Sequence, residues 1–266
     1  MKFLFYPKKL IGSQKFKLLL DKLGYKYTND INIDVDFIVL WDYKNETIIP
    51  KELKELNKPI INGKCLNIKK DYVDSIFTEI FGYSSFVNPE THKGYCVEKS
   101  TQNAIHNGKI VKCPRKRDGV ITYSGTGVKH NRIYQRLIDT RIDKDKIHDI
   151  RVPIVNGNIP FVFIKELGLK STFHPYDDEY YKCYTQKTTD VFNLNEVYNI
   201  LEFSKKIGLD IGELDILRDN SSGLIYIVDV NNIPAASIFN HLNNKDYVVE
   251  TLANEFKMWC DSFKFK

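Results

Sequence analysis

No stretch of this 266-residue sequence approaches 18 consecutive apolar residues, so no segment reads as a membrane-spanning helix. The opening MKFLFYPKKLIG breaks its apolar run with two lysines too early to form the core of a signal peptide. Cysteine is sparse. The five residues (Cys65, Cys96, Cys113, Cys183, Cys260) are odd in number, widely spaced and lack a CxxC pair, which excludes a disulfide framework and a zinc site of the usual spacing. Internal repeats and low-complexity tracts are missing too. Neither sign of charge dominates, with Lys+Arg 39 against Asp+Glu 34 and a formal charge of +5. Apolar residues at 42% and charged residues at 27% are close to the globular average, which excludes a disordered chain. The expectation is a reduced, cytoplasmic, soluble protein, one domain of two or three lobes. The densest basic run, Lys112–Arg117, reads as a solvated face or as a weak attraction for anions such as nucleotides, and neither nucleic acid nor membrane is expected as partner.

Along the chain the apolar pattern changes period. KFLFYP reads as a strand, and Gly12 to Gly24 as a helix with Phe16, Leu19, Leu20 and Leu23 on one face. Asp36–Trp41 and Pro59–Asn62 read as strands around a helical turn after Pro50. This alternation predicts a small α/β lobe with parallel strands over residues 1–68. A helix from Lys69 to Phe81 stopped by Gly82 opens the next part, 69–135, followed by strand-like pieces at 94–100, 109–113, 119–123 and 132–138. Residues 136–266 form the third part. It holds strands at 149–155 and 160–165, a polar stretch to Asn193, a helix from Leu194 to Ile207, a hairpin over Leu214–Val230 and a last helix near Tyr247–Phe263. The fold class is therefore α/β (α+β), with a short N-terminal α/β lobe followed by a small and a large α+β lobe.

The hairpin carries the chemistry. Glu213, Asp215 and Leu217 share one face of its first strand; a regular second strand puts Ile225, Ile227, Asp229 and Asn231 on one face. With residue 215 opposite 227, Asp215, Asp229 and Asn231 converge on one patch. Ionised carboxylates among Ile, Val and Leu cost several kcal/mol unless a cation compensates. Three oxygen donors on a rigid hairpin suit a hard cation such as Mg²⁺. Local strand-end hydrogen bonding or a structural pair with Arg151 stays open as the alternative.

Glu213-Leu-Asp-Ile-Leu-Arg-Asp219 followed by Ile225-Tyr-Ile-Val-Asp-Val-Asn-Asn-Ile-Pro234 resembles the metal-binding signature of the ATP-grasp enzymes. The resemblance implies the ATP-grasp fold and Mg²⁺ or Mn²⁺ held by Asp215, Asp229 and Asn231 on the phosphates of ATP, with Asp229 where the family usually has Glu. It extends upstream in order. Arg132–Asp139 is similar to the strand hinging the two ATP-clasping lobes, so Gln135, Arg136 and Leu137 are implied to read the adenine edge. Asp149-Ile-Arg151 resembles the Asp-x-Arg of the tubulin-tyrosine-ligase and ribosomal-protein-glutamate-ligase type, which implies Arg151 facing the γ-phosphate and Asp149 beside it. An ion pair of Arg151 with Asp149, Asp215 or Asp229 is the competing reading. Lys99, with Lys112 as rival, and Lys70, with Lys69 as rival, are implied to reach the α- and β-phosphates. Thr101–Gly108 or Ser124–Gly127 would cover them.

The resemblance implies an ADP-forming ligase that activates a carboxylate as an acyl phosphate and joins it to an amine. Two alternatives remain open: a kinase phosphorylating a hydroxyl, and a nucleotide-binding module without turnover. The carboxylate partner is a small molecule, a peptide or a sugar acid. Lys165–Lys187, with Lys165, Lys170, His174, Tyr176, Tyr180 and Tyr181, either lines the acceptor pocket or forms a surface loop.

Overall fold

A computed structural model describes residues 1–10, 15–102, 108–115, 132–169 and 182–263. The chain opens with β1 (Lys2–Pro7), α1 (Lys15–Leu23), β2 (Lys26–Thr28), β3 (Phe37–Trp41), α2 (Lys51–Glu55) and β4 (Ile60–Ile61). The four strands form one parallel sheet in the order β2-β1-β3-β4. Alternation sorts its two faces. Phe3, Phe5, Phe37 and Val39 point into an aromatic cluster with Phe16 of α1, while Leu4, Ile38 and Leu40 pack on Leu53 of α2. The short polar strand β2 escaped the sequence reading because three residues, Lys-Tyr-Thr, carry no apolar period.

Next come α3 (Lys70–Phe81), β5 (Gly94–Ser100), β6 (Lys109–Cys113) and β7 (Arg132–Arg136), the three strands forming an antiparallel sheet in the order β6-β5-β7. Gly82 takes the left-handed conformation (φ 78°) that ends α3, as its position predicts. The strand expected at 119–123 lies outside the described residues. Arg115, from the basic run read as solvated, is buried with NH1 3.8 Å from the fully buried Glu98. That carboxylate also faces Arg132, and its burial demands such partners.

The remaining elements are β8 (Lys146–Val155), β9 (Val162–Gly168), β10 (Lys182–Gln186), α4 (Thr188–Val191), α5 (Leu194–Ile207), β11 (Ile211–Arg218), β12 (Ile225–Asn231) and α6 (Lys245–Ser262). Their five strands form an antiparallel sheet, β10-β9-β8-β11-β12. One face, with Ile150, Val152, Ile154, Val162, Ile164, Leu214 and Ile216, is buried against Phe203 and Ile200 of α5 and Phe77 of α3. A full capping box at Asn193 and Glu196 starts α5, and Gly208 at φ 78° ends it. β10 and α4 fall inside the stretch read only as polar. The last helix, α6, packs with α1 on the N-terminal sheet, its Phe256 ring 5.6 Å from Phe3 and 5.1 Å from Phe16. Among the described residues no helix is long and apolar enough to cross a membrane.

One side chain stitches the N-terminal sheet to the site-bearing one. Asn62, 1% exposed and at φ 57°, accepts from the backbone N–H groups of Asp210 (2.9 Å) and Ile211 (3.0 Å). Its amide nitrogen donates to the carbonyls of Ile211 (2.8 Å) and Asn232 (3.1 Å). Both ends of the hairpin strands are thereby tied to the end of β4. Asn62→Ala leaves these four backbone groups without their partner. It should lower stability by about 2–4 kcal/mol, read as an earlier urea midpoint at unchanged slope.

Candidate active site

The face of the five-stranded sheet opposite α5 is charged. Strand register sets Asp229 of β12 opposite Asp215 of β11, Asp215 opposite Arg151 of β8, and Asp149 opposite Lys165 of β9. Asn231 lies opposite Glu213. The pairing differs by two residues from the 215–227 register considered above, and an even shift keeps the acidic side chains on one face. The expectation that Ile225 and Ile227 share this face with Asp229 fails. One extra residue, Val228, makes a bulge, so that Ile227 pairs with Ile216 and turns with Ile225 into the apolar core.

Two like charges directly opposite each other repel, and this pair is held by cations. Arg151 grips Asp215 with a bidentate fork, Nε to Oδ1 at 2.7 Å and NH2 to Oδ2 at 2.9 Å. Lys165 Nζ bridges Asp215 and Asp149 at 3.5 Å from each. Asn231 donates to Asp215 Oδ2 at 3.3 Å. Burial alone would raise the Asp215 pKa. Arg151 and Lys165, with the two side-chain hydrogen bonds, outweigh it and hold this carboxyl well below the usual carboxylate range.

Asp229 is held differently. Lys70, at the first turn of α3, donates to its Oδ2 at 2.8 Å, while its Oδ1 is buried and accepts no hydrogen bond among the described residues. The rival Lys69 pairs with Glu46, away from this cluster. The backbone N–H of Lys70 also donates to the carbonyl of Thr101 (2.9 Å), which draws the end of β5 toward the site. Lys99 of β5 follows. Burial and the proximity of Lys70 push its pKa down to about 8, against the pull of Asp229, Asp215 and Asp74. Val97, Ile133 and Ile110 share its strand face by alternation and register. Lys112 pairs with Tyr95, four residues along β5 from Lys99.

Gln135 and Arg136 are tied to the turn before β5. Gln135 Nε2 donates to Ser85 Oγ (3.0 Å), and the Arg136 N–H donates to the Ser85 carbonyl (2.8 Å), while the Arg136 side chain and Leu137 are exposed. That turn is fixed by Asp74, which accepts from the Ser85 N–H and both hydroxyls of Ser84 and Ser85. Residues 103–107 and 116–131, and Lys170, His174, Tyr176, Tyr180 and Tyr181, lie outside the described residues.

Three charged residues join this cluster without having been assigned to it from the sequence. Glu213 is 1% exposed; its Oε2 stands 3.6 Å from Arg151 NH1, and its Oε1 takes Lys15 from the start of α1. Burial pushes the Lys15 pKa down to about 8 against the pull of Glu213. Its ammonium lies 4.9 Å and 5.0 Å from the ring centres of Phe163 and Phe239. Glu213 announces itself two residues before Asp215. Lys165 was seen only as an acceptor-pocket candidate, and Lys15 was one lysine among many.

A divalent cation fits this donor set. Asp215, Asp229 and Asn231 offer hard oxygen donors, and the buried Oδ1 of Asp229 accepts no hydrogen bond among the described residues. Among the described residues no group of three or more His, Cys, Asp or Glu is placed to hold a metal, so two carboxylates and an amide need further oxygens from a bound anion or water.

No protein-family model and no curated protein matches the sequence. Solved structures do match. An ATP-grasp ligase, PsnB, complexed with a phosphomimetic variant of a minimal precursor, Mg and ADP, aligns with a TM-score of 0.63 at 10% identity, over 96% of this chain and 98% of that one. D-alanine–D-alanine ligase from Bacillus anthracis aligns at 0.57 and 12% identity, over 98% and 97%. The macrocyclase MdnC from Microcystis aeruginosa MRC, bound with precursor peptide MdnA, aligns at 0.54 and 11%, over 96% and 98%. Identity this low speaks to architecture, and nearly complete coverage of both partners makes that architecture unambiguous: the chain has the ATP-grasp fold.

Proposed function

We propose that this protein is an ATP-dependent, ADP-forming ligase that activates a carboxylate and joins it to an amine. The observation that carries the reading is the opposed pair Asp215 and Asp229, with Asn231 beside them and Lys70, Lys99 and Arg151 around them. The structures sharing the fold support it, since two of those compared are ligases by description, one of them holding Mg and ADP. Asp215, Asp229 and Asn231 would hold Mg²⁺ or Mn²⁺, which supplies charge neutralisation on the phosphates. Lys70 and Lys99 bind the α- and β-phosphates, and Arg151 offers its planar fork to the γ-phosphate as the acceptor carboxylate attacks it. The resulting acyl phosphate gives the carboxyl carbon a leaving group for the amine. Gln135, Arg136 and Leu137 present backbone groups to the adenine, with Val97 and Ile133 as its apolar wall; Asp149 holds Lys165 in place.

Calorimetric titration with ATP should show Mg²⁺-dependent binding that is lost in an Asp229→Ala, Asn231→Ala double variant. In turnover assays Asp229→Asn should slow ADP release by about 100-fold or more. With paired carboxylate and amine acceptors, ADP and inorganic phosphate should accumulate in equal amounts. A phosphorylated acceptor without free phosphate would make the protein a kinase, and binding without ADP release from any acceptor would make it a nucleotide-binding module.

The Lys99 ammonium gives a pH signature. With a pKa of about 8 in the free protein it is half neutral near pH 8, and a bound phosphate favours its charged form. Binding at pH 8–9 should therefore take up protons, so affinity falls as pH rises through this range. Calorimetry in buffers of different ionisation enthalpy reads the uptake directly. Lys99→Arg, whose guanidinium stays charged, should bind nucleotide with a flat profile across the same window.

A further inference from the structure

The carboxylates suited to a divalent cation are already matched by the protein's own cations. Asp215 sits in the fork of Arg151 with Lys165 at 3.5 Å, and Asp229 takes Lys70 at 2.8 Å. Through the connected ion pairs, four carboxylates (Asp149, Glu213, Asp215, Asp229) meet four cations (Lys15, Lys70, Arg151, Lys165). Lys99 and Asp74 stand close enough to act on each other and on this cluster, adding one charge of each sign, so the protonated cluster is formally neutral before any metal enters. A bare divalent cation entering here finds no net negative charge to draw it in. It must also push an ammonium or guanidinium off its carboxylate and leave that group buried beside it, uncompensated. A metal–polyphosphate complex meets neither obstacle, because its oxygens receive the displaced side chains.

We propose that Lys70, Arg151 and Lys165 occupy Asp229 and Asp215 as stand-ins for the metal, so that a divalent cation binds tightly only together with a polyphosphate anion that accepts these side chains. The proposal rests on the nucleotide-binding reading above and adds how its metal site is regulated. Asp229 shows the arrangement in miniature: Oδ2 is held by Lys70, while the buried Oδ1 waits without a partner among the described residues. Linkage makes the coupling reciprocal, since whatever factor ADP adds to metal affinity, the metal adds to ADP affinity.

The test uses the full chain with Mn²⁺ as probe, free Mn²⁺ being counted by electron paramagnetic resonance with and without ADP. Wild type should bind Mn²⁺ alone weakly, and ADP should tighten it by about 5- to 150-fold. The sign of the lysine effect is the discriminating readout. Lys70→Met and Lys165→Met should each bind Mn²⁺ alone about tenfold more tightly than wild type, while Lys206→Met, paired with Glu79 outside the cluster, should not change it. Adding Asp229→Ala to Lys165→Met should abolish the gain and so locate it. Folding of each variant is read by circular dichroism, and if Lys70→Met does not fold, Lys165→Met decides. Folded lysine variants that bind Mn²⁺ alone no better than wild type overturn the proposal. Wild type that binds ADP, yet holds Mn²⁺ equally well without it, overturns the coupling and leaves the nucleotide reading intact. Wild type that binds no ADP defeats both.

Discussion

Asp215 and Asp229 face each other across two hydrogen-bonded strands, and the surroundings of the site follow from keeping both of them ionised there. Each carboxylate loses most of its water, and each repels the other, so the fold tolerates them only with cations brought from elsewhere. Those cations come from three elements. Arg151 arrives by register from β8, Lys165 from β9, and Lys70 from the start of α3, an element distant in sequence. The site is thus a point where the five-stranded sheet and the segment leading into the small sheet hold each other through charge. A bound phosphate would compete for the same side chains, so ligand binding and lobe docking draw on one set of interactions.

The N-terminal sheet is attached at the same place by different chemistry. Asn62 satisfies four backbone groups at the hairpin's ends, and Lys15 reaches Glu213, two residues before Asp215. The backbone leaves no slack there. A Cβ on Gly208 would lie 2.5 Å from the Cβ of Lys64, and one on Gly212 would lie 2.6 Å from the Asn231 carbonyl oxygen. The short lobe, which carries no recognisable motif, therefore braces the strands that bear the acidic residues. Glu213 joins the two systems, facing Lys15 on one side and Arg151 on the other.

The sequence disclosed the elements whose signals are local. Period and glycine stops give α3 and α5, short apolar runs give β1 and β3, and alternation gives the hairpin strands. Acidic residues among aliphatic ones mark Asp215 and Asp229 as needing compensation. What stayed hidden depends on distance along the chain. Lys15 and Glu213 are 198 residues apart, and nothing in either neighbourhood distinguishes that lysine from others. The same holds for Arg115 turning inward to Glu98, and for α6 leaving its own sheet to pack on α1. The sequence favoured Lys70 over Lys69, but that Lys70 pairs with Asp229 and Lys69 with Glu46 depends on the helix phase and the position of β12 together.

The bulge at Val228 shows why a pattern of residue types did not suffice. In an unbroken strand, Ile225, Ile227, Asp229 and Asn231 would lie on one face, and either the isoleucines would face the charged site or the acidic side chains would enter the α5 core. One inserted residue removes the conflict. On its far side Ile225 and Ile227 pack beneath the sheet with Ile216, and on its near side Asp229 and Asn231 meet Asp215 and Glu213 above it. The hairpin thereby turns Ile225, Ile227 and Val230 toward the helices while Asp229 and Asn231, within the same seven-residue strand, stay on the charged face. That places Asp229 at the edge strand with one oxygen on Lys70 and the other accepting no hydrogen bond among the described residues, which is the asymmetry the proposed metal chemistry uses.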